Sequence, residues 1–416
     1  FAHARPGSHP QPLRVTRMAK KTKEVAPPSA AQSRFERLMG SAVVQKARGS
    51  YGALSCIPAS QHPVLVNRYR MRSGIYSLDV ALGGGWPVGR MSTTWGPPST
   101  AKTTVLTMTI ATAQQCCAVC QHWNPCGCPT PTETVAAFVD LEGTQDSDWA
   151  ASQGVDLDRL LYCAPSSAEE ALEITDGLVR SGDCDLVGYD SLALTVPRKT
   201  MEEREMGAAL PGSQAKILSE GLARLTLSAN AMGNSQGRRP TLLFLNQVRS
   251  QVGVVFGSPE IQSGGNAVKF MPSVIVRTAG GKVTLGKDEH GHEFPERAEW
   301  RATVQKNKTS APRMEADAFV QLTTTAEARA GEFIDSHVMV EDAKRFGILT
   351  GGGGSYTLLG RKGSLSELKL ALHNDKRYRR EAYDTLMAFH FGKADAVEET
   401  ADAPVEPGST DEAPPK

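Results

Sequence analysis

The sequence lacks any apolar run that approaches the length of about 20 residues needed by a membrane-spanning helix. It also lacks the apolar core of a secretion signal near its beginning, so we expect a cytoplasmic protein with no membrane partner. Aromatic residues make up only 6% of the chain, and the formal net charge is only +1. The 416 residues, 40% of them hydrophobic, allow one large core with smaller appendages.

The small net charge conceals two terminal blocks of opposite sign. Residues 1–49 carry ten Lys and Arg against two acids, whereas residues 394–416 carry seven acids against one Lys. Blocks of this kind are typical of disordered interaction tails rather than of folded surfaces. We expect Met18 to be the natural start, with residues 1–17 as an upstream extension.

The stretch GPPSTAKTT has the spacing of a phosphate-binding loop. In such a loop the backbone N–H groups surround the phosphates of a nucleotide, the Lys reaches the β- and γ-phosphates, and the first hydroxyl binds Mg²⁺. A β-branched run at 90–95 predicts a strand before the loop, and 105–113 predicts a helix after it. The predicted ATP-binding residues are Gly96, Pro97, Pro98, Ser99, Thr100, Ala101, Lys102, Thr103 and Thr104.

Ala101 is the one departure from the usual G-x-x-x-x-G-K-[ST] pattern, which has a second Gly at that position. Ala lacks only the freedom of Gly to adopt positive φ. If the residue before Lys102 is helical, Ala fits without strain, and the minichromosome-maintenance helicases resemble this chain in carrying Ala-Lys there. We therefore expect Ala101 to be tolerated.

Short apolar runs that end in polar residues recur at 136–140, 186–190 and 241–246. They are typical of buried parallel strands that deliver side chains to the carboxyl edge of an α/β sheet. Between them, 169–179 and 213–232 have the pattern of helices. The sequence therefore predicts an α/β core with a central, mostly parallel sheet.

The residues at these strand ends are candidates for ATP chemistry. Glu142 is the candidate base that activates the attacking water, with Asp140 as its nearest competitor. Asp190 is placed to hold Mg²⁺. Gln247 could sense the γ-phosphate and pass its presence to the segment that follows.

That segment, 248–266, contains several Gly residues and Pro259. It is too irregular for a strand and too long for a tight turn, so we expect a mobile functional loop. Its polar groups and Arg249 suit contacts with nucleic-acid phosphates, and its apolar run 254–256 could wedge between bases.

Four segments resemble the RecA family of bacterial and phage recombinases, in the order in which that family has them. FLNQVRSQVGVVFGSPEIQSGGNAVKF resembles the second DNA-binding loop and its flanks. SGIYSLDVALGGGWPVGR resembles the entry into the core, GVDLDRLLYCAPSSAEEALEI the stretch after the catalytic acid, and VQKNKTSAP the strand with paired lysines. The resemblance covers roughly residues 69–350. It implies a RecA-like P-loop NTPase core with an N-terminal helical arm and a small C-terminal α/β domain.

The resemblance also implies roles for individual residues. Catalytic roles fall on Glu142, Gln247, Lys306 and Lys308, the two lysines reaching the ATP of a neighbouring subunit. Trp149 stacks on adenine, and Phe270 packs between subunits. The implied DNA-binding residues are Arg249, Gly257, Ser263, Gly264, Gly265 and Asn266, with a first DNA loop near Met201–Leu210 that departs from the family pattern.

Five of the eight cysteines fall within CCAVCQHWNPCGC. Cys117, Cys120, Cys126 and Cys128 form two ligand pairs suited to one structural Zn²⁺, with Cys116 and His122 as spares. Free or redox-active thiols are the alternative. The cluster lies where RecA proteins have a short connection, so it is an insert on whose role the resemblance is silent.

The expected organisation has a disordered basic segment (1–32), an N-terminal helix and linker that dock on the next subunit (33–68, with the helix at 33–47), an ATPase core (69–330) with the Cys-rich insert (116–131), a C-terminal domain (331–392) and a disordered acidic tail (393–416). The expected function is that of a DNA-dependent ATPase near the nucleoid or in a phage host. It forms helical filaments on single-stranded DNA and exchanges strands with double-stranded DNA. The alternatives are a RecA-fold helicase or branch-migration motor, and an ATP-binding DNA filament scaffold with weak hydrolysis, which Ala101 alone favours.

Overall fold

The computed structural model describes residues 30–62, 69–198, 212–236, 239–250 and 260–392. The helices, in chain order, are α1 (Ala30–Met39), α2 (Ala42–Tyr51), α3 (Tyr76–Leu82), α4 (Lys102–Ala113), α5 (Ser147–Ser152), α6 (Ala168–Ser181), α7 (Ser213–Gln236), α8 (Ala267–Phe270), α9 (Ser336–Arg345), α10 (Leu365–Asn374) and α11 (Lys376–Phe391). The strands are β1 (Arg70–Met71), β2 (Trp86–Pro87), β3 (Met91–Gly96), β4 (Ala136–Asp140), β5 (Leu160–Cys163), β6 (Leu186–Asp190), β7 (Thr241–Ser250), β8 (Glu260–Gln262), β9 (Val274–Lys287), β10 (Glu293–Asn307), β11 (Glu315–Gln321), β12 (Phe333–Ile334), β13 (Thr350–Gly352), β14 (Ser355–Leu358) and β15 (Arg361–Gly363).

A mixed sheet forms the centre of the described chain, with the strand order β12-β11-β10-β9-β3-β7-β6-β4-β5 and β8 paired to β7. The strands from β9 to β5 in this order run parallel, and β10, β11 and β12 extend the sheet in antiparallel fashion. The predicted α/β class with a mostly parallel centre is confirmed. Because β3, β4, β6 and β7 end at one edge, the residues that follow them lie close together.

Helices cover both faces of this sheet. Helices α3 and α4 pack on one face and α6 and α7 on the other. Leu106 and Leu222 are fully buried on opposite faces, and burial of such a side chain stabilises the fold by about 1.5–3 kcal/mol. Gly188 lets α4 approach β6 closely, because a Cβ there would lie 2.7 Å from the Leu106 side chain.

The C-terminal unit has its own core, built from α9, α10 and α11 beside the β13–β14–β15 sheet. Tyr76 of α3 is buried in this core, and its hydroxyl donates to Asp342 at 2.7 Å. Strand β12 lies within the predicted C-terminal domain (331–392) but pairs with β11 of the central sheet.

The predicted single helix at 33–47 is wrong, because the structure has two helices there. Helix α1 ends at Met39 and α2 begins at Ala42. The Ser41 side chain caps α2 by accepting a hydrogen bond from the Val44 N–H at 3.5 Å. Ser is a preferred helix N-cap, which gives a physical reason for the new start. Phe35 and Leu38 of α1 remain 48% and 58% exposed.

Several predictions from the sequence fall outside the described residues. They concern nearly all of the basic segment, the acidic tail, the first DNA loop near Met201–Leu210 and the middle of the second loop. Within the described ranges, no helix combines the length and the apolarity needed to cross a bilayer.

Candidate functional site

The phosphate-binding loop connects β3 to α4 at the carboxyl edge of the sheet. Gly96 is required by close packing, because a Cβ there would lie 2.4 Å from the Thr278 carbonyl oxygen. The Thr100 hydroxyl lies 2.8 Å from both the Pro97 carbonyl and the Thr278 hydroxyl. Lys102 Nζ donates to the same Pro97 carbonyl at 2.7 Å, so its ammonium group is held inside the loop.

Ala101 adopts the left-handed conformation, with φ 57° and ψ 29°. The condition under which Ala fits without strain, a right-handed helical conformation, is not met, and a non-Gly residue in the left-handed region costs about 1–2 kcal/mol. Ser99 has φ 59° as well. Left-handed residues within a turn create concavities lined by N–H groups that bind anions. The strain at Ala101 therefore accompanies the shape that a phosphate site needs.

Thr103 and Asp190 form the candidate Mg²⁺ site, with the Thr103 hydroxyl donating to the Asp190 carboxylate at 2.9 Å. Burial, together with the negative charge of Glu142, raises the pKa of Asp190 to about 7. A hydroxyl and a carboxylate are the hard oxygen ligands that Mg²⁺ takes, and its charge would favour ionised Asp190. The residues present therefore fit the ion.

Glu142 lies beside this pair and accepts two hydrogen bonds on the same oxygen. The Ser191 hydroxyl and the Gln247 side-chain amide both donate to Glu142 Oε1 at 2.7 Å. The structure thus brings Glu142, Asp190 and Gln247 together around the loop, as their positions after β4, β6 and β7 predict. Ser191 was missed by the sequence reasoning, although its place directly after Asp190 was an available signal.

Asp140, the alternative candidate for the base that activates water, is buried and hydrogen-bonded. Its carboxylate accepts from the Tyr162 hydroxyl at 2.9 Å and from the backbone N–H groups of Glu142, Gly143 and Gln145 at 2.8–3.1 Å. Through these bonds Asp140 stabilises the turn that carries Glu142. Glu142 is therefore the better candidate for contact with a water at the γ-phosphate.

A chain of hydrogen bonds runs from Gln247 to the far end of the second loop. The Gln247 N–H donates to the side chain of buried Asn246, whose Nδ2 donates to the Ser263 carbonyl at 2.9 Å. The Ser263 hydroxyl donates to Gln214 at 3.1 Å, at the start of α7. Residues on both sides of the second loop are thereby linked to the residue that contacts Glu142.

Residues 248–250 and Glu260–Gln262 of segment 248–266 are strands, so the expectation of an irregular segment is wrong for these residues. Strand β7 continues to Ser250 and pairs with β8, with Arg249 exposed and opposite Ile261. The middle of the loop, including Gly257 and the apolar run 254–256, lies outside the described residues.

The remaining predicted DNA-binding residues divide by exposure. Ser263 and Gly264 are buried, and a Cβ on Gly264 would lie 2.5 Å from Leu218, so packing explains this Gly. Gly265 and Asn266 are exposed. A role of these four residues in DNA binding stays a prediction.

Trp149 lies on α5 with 38% of its surface exposed. Its ring rests against Gly331, where a Cβ would lie 2.2 Å from Trp149 Cζ2. Stacking of this ring on adenine stays a prediction.

Lys306 and Lys308 lie at the opposite edge of the sheet from the phosphate-binding loop. Asn307 between them pairs with Val274, which in turn lies beside Ser92 at the beginning of β3. The loop begins four residues further on, at about 3.3 Å per residue. Two lysines at this edge therefore face away from the ATP site of their own chain.

The edge with the lysines carries an exposed aromatic side chain. Lys306 Nζ donates to the carbonyls of Lys269 and Phe270 at 2.9 Å each, at the end of α8. Phe270 itself is 69% exposed. An exposed aromatic side chain on the edge that carries two lysines is a suitable surface for another protein molecule.

The structure brings together the four predicted metal-ligating cysteines. The sulfur atoms of Cys117, Cys120, Cys126 and Cys128 all lie within 4.8 Å of one another. The distance from Cys128 Sγ is 3.5 Å to Cys117 Sγ and 3.2 Å to Cys126 Sγ. Tetrahedral zinc with bonds of about 2.3 Å would separate its sulfur ligands by roughly 3.8 Å. Within the described ranges, the candidate ligand group holds neither spare, Cys116 or His122.

The loop that begins at Gly96 precedes a helix at the carboxyl edge of a parallel sheet, and the Thr103–Asp190 pair lies beside it. These features of fold and site define a P-loop nucleotide-binding protein. The family model described as RecA N-terminal domain matches residues 40–325.

The similarity of this chain to individual proteins indicates the same family. The Protein RecA of Bordetella petrii is 39% identical over 268 residues, which are 63% of this chain and 66% of that protein. The proteins of the same name from Brucella suis and Rhizobium rhizogenes are each 36% identical over 296 residues, 71% of this chain and 74% of each relative. The chain belongs to the RecA family of recombinases.

Proposed function

We propose that the protein is a DNA-dependent ATPase that assembles on single-stranded DNA as a helical filament and carries out homologous pairing and strand exchange with double-stranded DNA. The observation that carries this proposal is the hydrogen-bonded connection from Glu142 through Gln247 to the flanks of the second loop. It joins an ATP site to a segment suited to nucleic acid. Membership of the RecA family supports the same function.

In this proposal the loop N–H groups and Lys102 hold the phosphates of ATP. Mg²⁺ held by Thr103 and Asp190 would neutralise charge on the β- and γ-phosphates. Glu142 orients the attacking water and accepts its proton. Gln247, which shares Glu142 Oε1 with Ser191, exchanges that contact for the γ-phosphate and so reports its presence to the second loop.

The proposed filament depends on the ATP site and the two lysines lying at opposite edges of the sheet. A head-to-tail contact between the ATP edge of one subunit and the Lys306–Lys308 edge of the next uses different surfaces, so it propagates instead of closing into a dimer. The two lysines then neutralise charge on the neighbouring ATP as an arginine finger does. The exposed Phe35 and Leu38 of α1 provide the apolar side of a docking arm.

DNA binding is proposed to depend on the two loops and on basic residues of the C-terminal unit. Arg361 and Lys362 lie on β15, beside the basic first turn of α11. The acidic tail would compete with DNA phosphates for this surface. Affinity should then fall steeply as salt concentration rises.

Glu142→Gln tests the ATPase against the scaffold alternative. We expect turnover stimulated by single-stranded DNA to fall by about 10²–10⁴-fold, because a positioned general base contributes that much. Filaments formed with ATP should persist, since the amide retains the shape of the carboxylate. Phosphate release and electron microscopy measure the two effects, with Glu341→Gln, at an exposed position of α9, as the control. Wild-type protein whose turnover does not respond to DNA would instead support the scaffold.

A strand-displacement assay separates the recombinase from the helicase alternative. We expect ATP-dependent exchange between a single strand and a homologous duplex, without unwinding of a duplex that has no homologous partner. Unwinding that is independent of homology would favour the motor.

We further propose that the cysteine cluster holds one structural Zn²⁺. Purified protein should retain about one zinc per chain after dialysis, as measured by elemental analysis. Cys126→Ser should lose the metal, because three thiolates leave a tetrahedral site incomplete. Cys163→Ser, which changes a thiol outside the cluster, should retain it. Metal-free wild-type protein from zinc-containing medium would contradict the site.

A further inference from the structure

The Cys-rich insert contacts the C-terminal unit of its own chain. Residues 116–131 contain no Lys, Arg, Asp or Glu, so the insert lacks the cations that a DNA-binding surface requires. Its Trp123 instead lies against α11 and against Arg72, which precedes α3. The insert thus bridges two parts of the fold that are distant in sequence.

Trp123 contacts two guanidinium groups through its ring. The Arg72 and Arg380 guanidinium carbons each lie 4.6 Å from the centre of the Trp123 ring. Tyr383 of α11 meets the same ring edge-on, with the ring centres 6.1 Å apart and an angle of 77°. Cation–π contacts of this kind are worth about 0.5–1 kcal/mol each at exposed sites and more when desolvated.

Both arginines connect the core to α11. Arg72 forms a 2.6 Å ion pair with Asp384, and it also lies 4.6 Å from the Tyr383 ring centre. Arg380 donates to the Gln115 side chain at 2.5 Å, immediately before the insert. Trp123 therefore adds a contact at the interface between the ATPase core and the C-terminal unit, next to the arginines that join the two.

Two of the four clustered cysteines flank Trp123 in sequence. Cys120 lies three residues before it and Cys126 three residues after it. Backbone hydrogen bonds on either side of Trp123 join this turn to the start of the insert, from the Cys117 N–H to the His122 carbonyl and from the Asn124 N–H to the Gln115 carbonyl, each at 2.9 Å. A segment this short cannot bury a core of its own, so a metal bound by the four thiolates would add substantially to its order.

We propose that metal binding by the insert holds α11 against the ATPase core through Trp123, so that metal occupancy sets the freedom of the C-terminal unit. This inference rests on the metal site of the proposed function. With the four thiolates joined by the metal, Trp123 stays in contact with Arg72 and Arg380. Without the metal, the turn opens and α11 loses its contacts with Trp123.

Hydrogen exchange of the full-length protein, read by mass spectrometry, tests the proposal. Removal of zinc by a chelator should raise amide exchange in α11 about tenfold, the factor expected from losing two cation–π contacts. Exchange in β3 and β6 should not change, because these strands lie outside the interface. Trp123→Ala should raise exchange in α11 to a similar extent while retaining one zinc per chain. Arg380→Ala should act in the same direction, whereas Arg377→Ala, at an exposed position of α11, should not.

The outcomes distinguish this proposal from the metal site on which it rests. If the protein holds one zinc per chain but α11 exchanges equally fast with and without it, the proposed effect of the metal on the C-terminal unit is wrong. The metal site itself is not affected by that result. Unchanged α11 exchange in Trp123→Ala overturns it as well. Wild-type protein that never binds zinc overturns both proposals.

Discussion

Lys102→Ala is expected to abolish ATP turnover and ATP-dependent filament growth. Its ammonium group is held inside the loop by the Pro97 carbonyl, and burial lowers its pKa although the charges of Asp190 and Glu142 act in the opposite direction. Removal of one preorganised donor from such a site costs about 10²–10³-fold, and here the lost group also carries charge needed to bind ATP. Phosphate release with single-stranded DNA measures turnover, and electron microscopy measures growth.

The matched control for this change is Lys344→Ala, which removes an exposed lysine from α9. It should leave both measurements unchanged. Normal growth of filaments by Lys102→Ala in the presence of ATP would refute the nucleotide site.

Lys308→Ala is expected to lower turnover by about 10³–10⁵-fold, the range found for cations that act on a neighbouring γ-phosphate. Because Lys308 is exposed in the single chain, its loss should leave the melting temperature of the monomer unchanged. Lys306→Ala should lower turnover as strongly. It should also destabilise the end of α8, since Lys306 Nζ binds two carbonyls there.

The control for the lysine pair is Lys282→Ala, which changes an exposed lysine of β9 away from this edge. It should turn over ATP as the wild type does. Full DNA-stimulated turnover by the double variant Lys306→Ala/Lys308→Ala would exclude a catalytic role for both lysines.

Much of the fold and of the site could be predicted from the sequence. Apolar runs that end in polar residues identified β4, β6 and β7, and their parallel arrangement brings Glu142, Asp190 and Gln247 to one edge. The two cysteine pairs identified a cluster of four thiols that the structure brings together. In each case a local pattern was sufficient, because the sheet or a tight turn determines where the residues meet.

Other features depend on contacts that a local pattern does not contain. The left-handed conformation of Ala101 follows from the closure of the loop between β3 and α4 and not from the preference of Ala. The burial of Ser263 and Gly264 comes from their contact with α7. The contact of Trp123 with α11 joins residues more than 250 positions apart, a separation that no periodicity can report.

Mixing two inactive variants tests most directly whether each ATP site is shared between two subunits. Lys102→Ala has a defective phosphate-binding loop but intact lysines at the opposite edge, and Lys308→Ala has the reverse. An equal mixture of these two inactive variants on single-stranded DNA should recover about one quarter of wild-type turnover, since one interface in four combines the two intact halves. A mixture as inactive as either variant alone would contradict the shared site.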